Sequence, residues 1–146
     1  MSNFEEFSYV MIKPTYLDHK DEIKSRLESI GGLILEEKAL KMTKDKLKEH
    51  YAHIADKPFY PEVEEYMLGG DCYAMLVAGS KGIIAKIREI VGPTKNSPKG
   101  TIRGDFMHEN ANSSANVIHA SDARHTANAE IERFFGSEIF NQYHNN

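Results

Sequence analysis

The sequence predicts an α+β domain, a four-stranded antiparallel sheet covered by helices. Apolar runs rich in branched and aromatic residues alternate with segments of helical spacing, and Gly or Pro marks the breaks between them. The resulting order is strand, helix, strand, helices, strand, helix, strand, helix. At 146 residues, 40% hydrophobic and 27% charged, the chain fits a single domain over 1–146 with a real core and no composition bias toward disorder.

"FSYVMIK" (7–13) is stopped by Pro14 and reads as a buried strand with Lys13 at its exit. Ile23, Leu27 and Ile30 follow at helical spacing and end at Gly31-Gly32. "LILEEKALKM" (33–42) is the second strand. Thr43 is placed to cap a helix carrying Leu47, Tyr51 and Ile54, and Pro61 to open a short one carrying Val63, Tyr66 and Met67 before Gly69-Gly70, so the pair reads as a helical hairpin. "CYAMLVA" (72–78) is the third strand. After Ser80, Ile83, Ile84, Ile87, Ile90 and Val91 lie on one stripe of a helix that ends at Gly92-Pro93. Periodicity then vanishes from Gly92 to Ala115, which reads as one very long loop, the kind that compact domains keep for function. "NVIHA" (116–120) is the fourth strand, and Ala127, Ile131, Phe134 and Phe135 give the last helix its apolar face. The ferredoxin-like arrangement accommodates this order.

One cysteine, Cys72, allows no internal disulfide and sits in an apolar strand, which suits a reducing compartment. The N-terminus is acidic where a signal peptide is basic, and no apolar run approaches the roughly 18 residues of a membrane span, so the expected location is cytoplasmic, with no membrane partner. A net charge of −4 argues against nucleic acid as the main partner. The charge is uneven: Lys86, Arg88, Lys95, Lys99 and Arg103 face Glu89 alone between 86 and 103, a segment able to serve an anionic ligand.

The chemistry centres on His119, which closes the fourth strand. Asp122 is placed to cap the next helix, where Ala123, Ala127, Glu130 and Phe134 share a face, so Glu130 either turns inward and needs a partner or faces water. Inward, it reaches His119, fixes the ring's tautomer and leaves the other nitrogen as base or nucleophile. A free imidazole, with a pKa near 6.5, is mostly neutral at pH 7 and attacks without large tuning. The basic residues point to phosphate as its target: Lys13, Arg88 and Arg103 form a candidate clamp and Thr94 offers a hydroxyl, which suits phosphoryl transfer, where positive charge around the moving oxygens does most of the work. Gly-x-Gly-x-x-Gly and the Gly-rich Lys-Ser/Thr loop are absent.

"YVMIKP", "HYAHIADKPFYPEVEEYM", "GTIRGDF" and "NVIHASD", in this order, resemble nucleoside diphosphate kinases over nearly the whole chain. The resemblance implies a magnesium-dependent enzyme that moves the terminal phosphate of a nucleoside triphosphate onto its own histidine, here His119, and then onto a nucleoside diphosphate. It further implies Lys13 and Tyr51 near the transferring phosphate, and Arg88, Thr94 and Arg103 on the others. Asn116 would bond the ribose, Phe59 would stack on the base with Val63 beside it, Glu130 would hold His119 and Ser121 would support Glu130. No protein metal ligand is implied, Mg2+ arriving on the nucleotide phosphates, and the assembly expected is a homo-oligomer, a hexamer or a tetramer built from dimers. The sequence departs from the family pattern at Thr15-Tyr16, where Asp-Gly is usual, at Ala120 in place of glycine, and from Met107 to Ala115, which lacks the usual arginine before the asparagine.

A regulatory module that binds a nucleotide without chemistry would need the clamp but not the His119–Glu130 pair. An RNA-recognition domain shares the general fold, yet the aromatic strand signature is missing. His50 and His53, three apart, lack a Cys or acidic companion for a metal, and Arg103-Gly104-Asp105 reads as a chance adhesion tripeptide.

Overall fold

The computed structural model describes residues 4–109, 111 and 114–144. Four strands, β1 (Glu6–Ile12), β2 (Leu33–Leu40), β3 (Cys72–Gly79) and β4 (Ile118–Ala120), form one antiparallel sheet in the order β2-β3-β1-β4. The helices are α1 (Lys20–Ser29), α2 (Lys44–His50), α3 (Tyr60–Leu68), α4 (Ile83–Val91), α5 (Ile102–Phe106), α6 (Arg124–Phe135) and α7 (Ser137–His144), with a 3-10 turn at Leu17–His19. The α+β architecture read from the sequence is the one observed.

Alternation along the strands gives the sheet two buried faces. Val10, Ile12, Met75, Val77, Ile118 and Ala120 meet Ile23 and Leu27 of α1 and Ile83, Ile87 and Val91 of α4. Tyr9, Met11, Ala74 and Leu76 meet Leu47 of α2, Val63 and Met67 of α3, and Ile131 and Phe134 of α6. β4 pairs with β1 in the register Met11↔His119, so His119 emerges on the second face, the one that α6 covers. Cys72 is a buried free thiol whose pKa burial pushes up to about 12, which makes it unreactive at neutral pH.

Several boundaries differ from the sequence reading. α2 starts as expected, with Thr43 Oγ1 accepting from Lys46 N at 3.2 Å, but ends at His50, leaving Ile54 in the turns that follow. The long loop is not one loop. "GTIRGDF" folds into the five-residue α5, capped by Thr101, whose hydroxyl accepts from Gly104 N at 3.0 Å. Five residues are too few for a helical period to show. Gly104 is required there, because a Cβ would stand 1.9 Å from the Pro98 carbonyl oxygen. Asp122 is not the cap of α6. Ala123 occupies that place, and Asp122, one residue earlier, bonds to Thr126. α7, whose apolar residues Ile139, Phe140 and Tyr143 pack on the second cluster, extends the chain beyond the last helix expected.

β4 is shorter than "NVIHA" because the backbone reverses just before it. Val117 has φ of 75°, and Ile118 N donates to Asn116 O at 2.9 Å across it. That three-residue closure with positive φ is the strained γ-turn, an unusual place for a branched residue. The Val117 carbonyl accepts from Lys13 N at 2.9 Å, tying the turn to the exit of β1. Among the described residues no helix is long and apolar enough to cross a membrane.

Candidate active site

Strand β4 and helix α6 place an imidazole and a carboxylate together. His119 Nε2 lies 2.7 Å from Glu130 Oε2, and the other carboxylate oxygen accepts from Ser121 Oγ at 2.6 Å. Ser121 is fixed in turn, since its Oγ accepts from Tyr9 N at 2.9 Å and its own N–H donates to Tyr9 O at 3.0 Å. An ionised carboxylate only accepts hydrogen bonds, so with Oε1 taken by Ser121 the bond at Oε2 places the proton on Nε2 and leaves Nδ1 with its lone pair. The His119 side chain is 23% exposed and that of Glu130 only 5%. The imidazole is reachable, while the carboxylate that orients it is not. Of the two readings the sequence left open for Glu130, the inward one holds.

His119 lines a cleft of about 360 Å³ with Tyr51, Arg88 and Asp122. Tyr51, the C-cap of α2, has its phenol pKa driven up by burial, so it stays a neutral donor. Arg88 Nη1 donates to Ala120 O at 3.2 Å, holding the backbone just past the histidine.

His50 is a participant that sequence reading did not assign. Its ring meets that of His119 edge to face at 4.6 Å, and its Nδ1 lies 3.7 Å from Glu130 Oε2. Arg133 Nη1 approaches the same Nδ1 at 3.3 Å, which makes Nδ1 the acceptor. Burial, with His119 and Arg133 close by, pushes the pKa of His50 down to about 2. It therefore stays neutral and does not compete with His119 as a cation for Glu130. The signal was present in the spacing: His50 follows Leu47 by three on the buried face of α2. Together His50, His119 and Glu130 are the group of three among the described residues that could hold a metal. Two imidazoles with a guanidinium alongside do not suit Mg2+, which takes oxygen ligands.

A second cluster lies where β1 leaves the sheet. Lys13 Nζ donates to Asn116 Oδ1 at 2.6 Å and Ser114 O at 3.3 Å, and it is only 7% exposed. Burial and the neighbouring Arg103 charge lower its pKa to about 7. Arg103 itself is 8% exposed and commits three N–H groups to backbone: Nε to Asn116 O at 3.0 Å, Nη1 to Gly92 O at 2.8 Å and Nη2 to Ile118 O at 2.8 Å. This guanidinium builds the site before it meets any ligand, and burial, with the Arg88 charge nearby, lowers its pKa to about 10. It is not displayed for adhesion, and Asp105 of the same tripeptide is held by Arg26 Nη1 at 2.7 Å. Thr94 is exposed and lines a shallow cleft of about 500 Å³ with Arg103.

Phe59, just before α3, is 50% exposed and offers a free aromatic face. Val63, one turn on, is 9% exposed and belongs to the second core cluster. The core, where helical spacing already places Val63, claims most of the side chain that the resemblance sets beside the base. Asn110, Asn112 and Ser113, from the loop segment that departs from the family pattern, lie outside the described residues.

A family model described as nucleoside diphosphate kinase matches residues 6–140. A nucleoside diphosphate kinase of Halalkalibacterium halodurans is 37% identical over 142 residues, covering 94% of each chain. One from Pyrococcus abyssi is 37% identical over 143 residues, covering 94% of this chain and 89% of its own. Among solved structures, the nucleoside diphosphate kinase of Encephalitozoon cuniculi superposes with a TM-score of 0.85 at 30% identity, covering 92% of both chains. A nucleoside diphosphate kinase family protein from Babesia bovis gives 0.80 at 31% identity, with 92% of this chain and 90% of that one covered.

Proposed function

Because the chain belongs to the nucleoside diphosphate kinase family, a family of phosphotransferases, we propose that it works as one through His119, in two half-reactions on one nitrogen. The observation that carries this is the 2.7 Å bond from His119 Nε2 to buried Glu130, which leaves Nδ1 as the attacking atom. The Nδ1 lone pair forms a bond to the terminal phosphorus of a nucleoside triphosphate, the bond to the bridging oxygen breaks, and the nucleoside diphosphate departs with that oxygen's charge. In the second half, a terminal phosphate oxygen of the acceptor diphosphate attacks the same phosphorus and the P–N bond returns its pair to Nδ1. The Nε2 proton stays where Glu130 holds it throughout, and the positive charge that develops on the phosphorylated ring faces a carboxylate.

Arg88, Thr94, Arg103 and Lys13 supply positive charge and donors for the phosphates, Tyr51 a neutral hydroxyl near the transferring group, and Asn116 a side-chain amide for the ribose. Phe59 stacks on the base, with Val63 beneath it in the core. The family's reaction takes a divalent cation. Magnesium carried on the nucleotide's phosphates fits this chain, whose only candidate metal cluster among the described residues is nitrogen-rich. We extend the reading to one domain over 1–146, a cytoplasmic location, and a homo-oligomer, a tetramer or a hexamer, built from dimers. An eight-residue edge strand, β2, with Leu33 48% exposed supports self-association, and light scattering distinguishes the two assemblies. Incubation with γ-labelled ATP tests the core of the proposal: the protein acquires an acid-labile, base-stable label on His119 that ADP, GDP, CDP and UDP each discharge. A regulatory module that merely binds nucleotide acquires none.

Breadth follows from the base site. Stacking is worth about 1 to 3 kcal/mol per base and tolerates any base, whereas rejection by 10⁴-fold or so needs buried polar groups that the wrong base leaves unpaired. The four diphosphates are expected to give kcat/KM values within about 100-fold, roughly 3 kcal/mol. A single accepted base would transfer specificity to the 107–115 loop.

Lys13 adds a pH signature. Its folded pKa of about 7 lies below the ordinary 10.5, so above pH 7 the empty site favours the neutral amine. A bound phosphate favours the ammonium and raises the pKa again, so at pH 8.5 binding ADP takes up protons, about one per site at most. Calorimetry in two buffers of different ionisation enthalpy measures the uptake, and Lys13→Ala is expected to abolish it. Equal uptake in the variant would assign the proton elsewhere.

A further inference from the structure

The residues after Lys13 form a turn held from two sides. Tyr16 N donates to Lys13 O at 3.2 Å, with Pro14 second and Thr15 third, and Thr15 has φ of 76°. Left-handed backbone at the third position defines a type II turn, where Gly or Asn is usual. Thr15 is kept there from α3: its hydroxyl lies 3.0 Å from that of Tyr66, which also bonds the Pro14 carbonyl. On the other side stands Tyr16, fully buried. Its hydroxyl donates to Ala115 O at 2.7 Å and accepts from His108 N at 3.2 Å, and its ring stacks on that of His108 with centroids 4.4 Å apart. One phenol thus ties together the start and the end of the 107–116 loop. Three residues earlier, Lys13 takes Ser114 O and Asn116 Oδ1 of the same loop.

We propose that Tyr16 is a positioning residue of the nucleotide site, whose hydroxyl holds His108 and Ala115 so that the neighbouring Asn116 and Lys13 meet the ligand already arranged. This rests on the nucleotide reading given above. Tyr16 is bonded to neither His119 nor Glu130, which are ordered by β4, α6 and Ser121, so its contribution belongs to binding and not to the chemical step. Without the hydroxyl the backbone at Ala115 and Asn116 must be fixed by the ligand, and that cost appears as weaker affinity.

Tyr16→Phe keeps the ring and removes both hydrogen bonds. Three measurements on the full chain are expected to move together. KM for ADP rises about tenfold with kcat within about twofold. The calorimetric Kd for ADP, which needs no turnover, weakens by a similar factor. The His108 amide, which donates to this hydroxyl, exchanges its hydrogen faster, whereas the amides of β1 and β3 do not. A purely structural role would lower thermal stability and leave KM and Kd where they were, and that result overturns the proposal. So does an unchanged His108 exchange rate, or a fall in kcat at constant KM. If the unaltered protein takes no label from ATP, the catalytic reading has failed, and Kd with amide exchange still decides the role of Tyr16.

Discussion

His119→Ala is expected to reduce kcat/KM by on the order of 10⁴-fold or more, because the route through a covalent intermediate is lost with the nitrogen that forms it. The fold is expected to survive. The side chain is 23% exposed, the β4 ladder is made by backbone, and Glu130 keeps its bond from Ser121. A folded variant by circular dichroism, unlabelled by γ-labelled ATP, is the outcome that supports the assignment. Phosphotransfer above a trace in a folded variant would move the nucleophile elsewhere.

Arg103→Ala is expected to damage both stability and activity, because its three backbone bonds are made without ligand. Removing the guanidinium leaves the carbonyls of Gly92, Asn116 and Ile118 without that partner. The Asn116 carbonyl keeps its bond from Ile118 N and Gly92 is partly exposed, so water replaces part of what is lost; three bonds from a charged donor at about 1.5 to 3 kcal/mol each, discounted in this way, give an expected loss of about 3 kcal/mol in unfolding free energy. Two of the three carbonyls flank the turn that delivers His119, and a charge-assisted donor to phosphate adds about 1.5 to 3 kcal/mol of its own. The expected fall in kcat/KM is therefore about 100-fold or more, at the upper end of what loss of a phosphate contact alone predicts. Urea unfolding and steady-state rates measure the two effects separately. A variant of unchanged stability would show that the backbone bonds contribute nothing, and unchanged kinetics would remove Arg103 from the site.

Much of this was legible in the sequence because the relevant signals are local or periodic. The four strands are readable as runs of strand-forming residues, and helical spacing leaves Glu130 two places, inward beside His119 or facing water, between which the packing of α6 on β1 and β4 chooses. Other features depend on contacts between distant segments. α5 is too short to show a period and is held by Thr101, by the close approach of Gly104 to Pro98, and by Arg26 on Asp105. His50 draws attention in the sequence only as a weak metal candidate beside His53, and its edge-to-face contact with His119 joins residues 69 apart, which no local spacing reveals. Arg103 read as a ligand for phosphate, since nothing in a linear sequence reveals three backbone carbonyls converging on one side chain. Residue type favours Asp122 as the cap of α6, but the helix starts one residue later, a boundary that cap chemistry fixes only in three dimensions.

The γ-turn ahead of β4 has a consequence for the reaction cycle. A left-handed backbone at Val117 costs about 1 to 2 kcal/mol, while burying a valine side chain contributes about 1.5 to 3 kcal/mol, and Val117 is fully buried. Packing outweighs the strain, so the joint behind the nucleophile is stiff where a glycine would have made it loose. In the proposed cycle His119 serves two different nucleotides in each turnover, one arriving as donor and the next as acceptor. A stiff mount presents Nδ1 in the same place to both, and neither half-reaction has to lose chain entropy to align it.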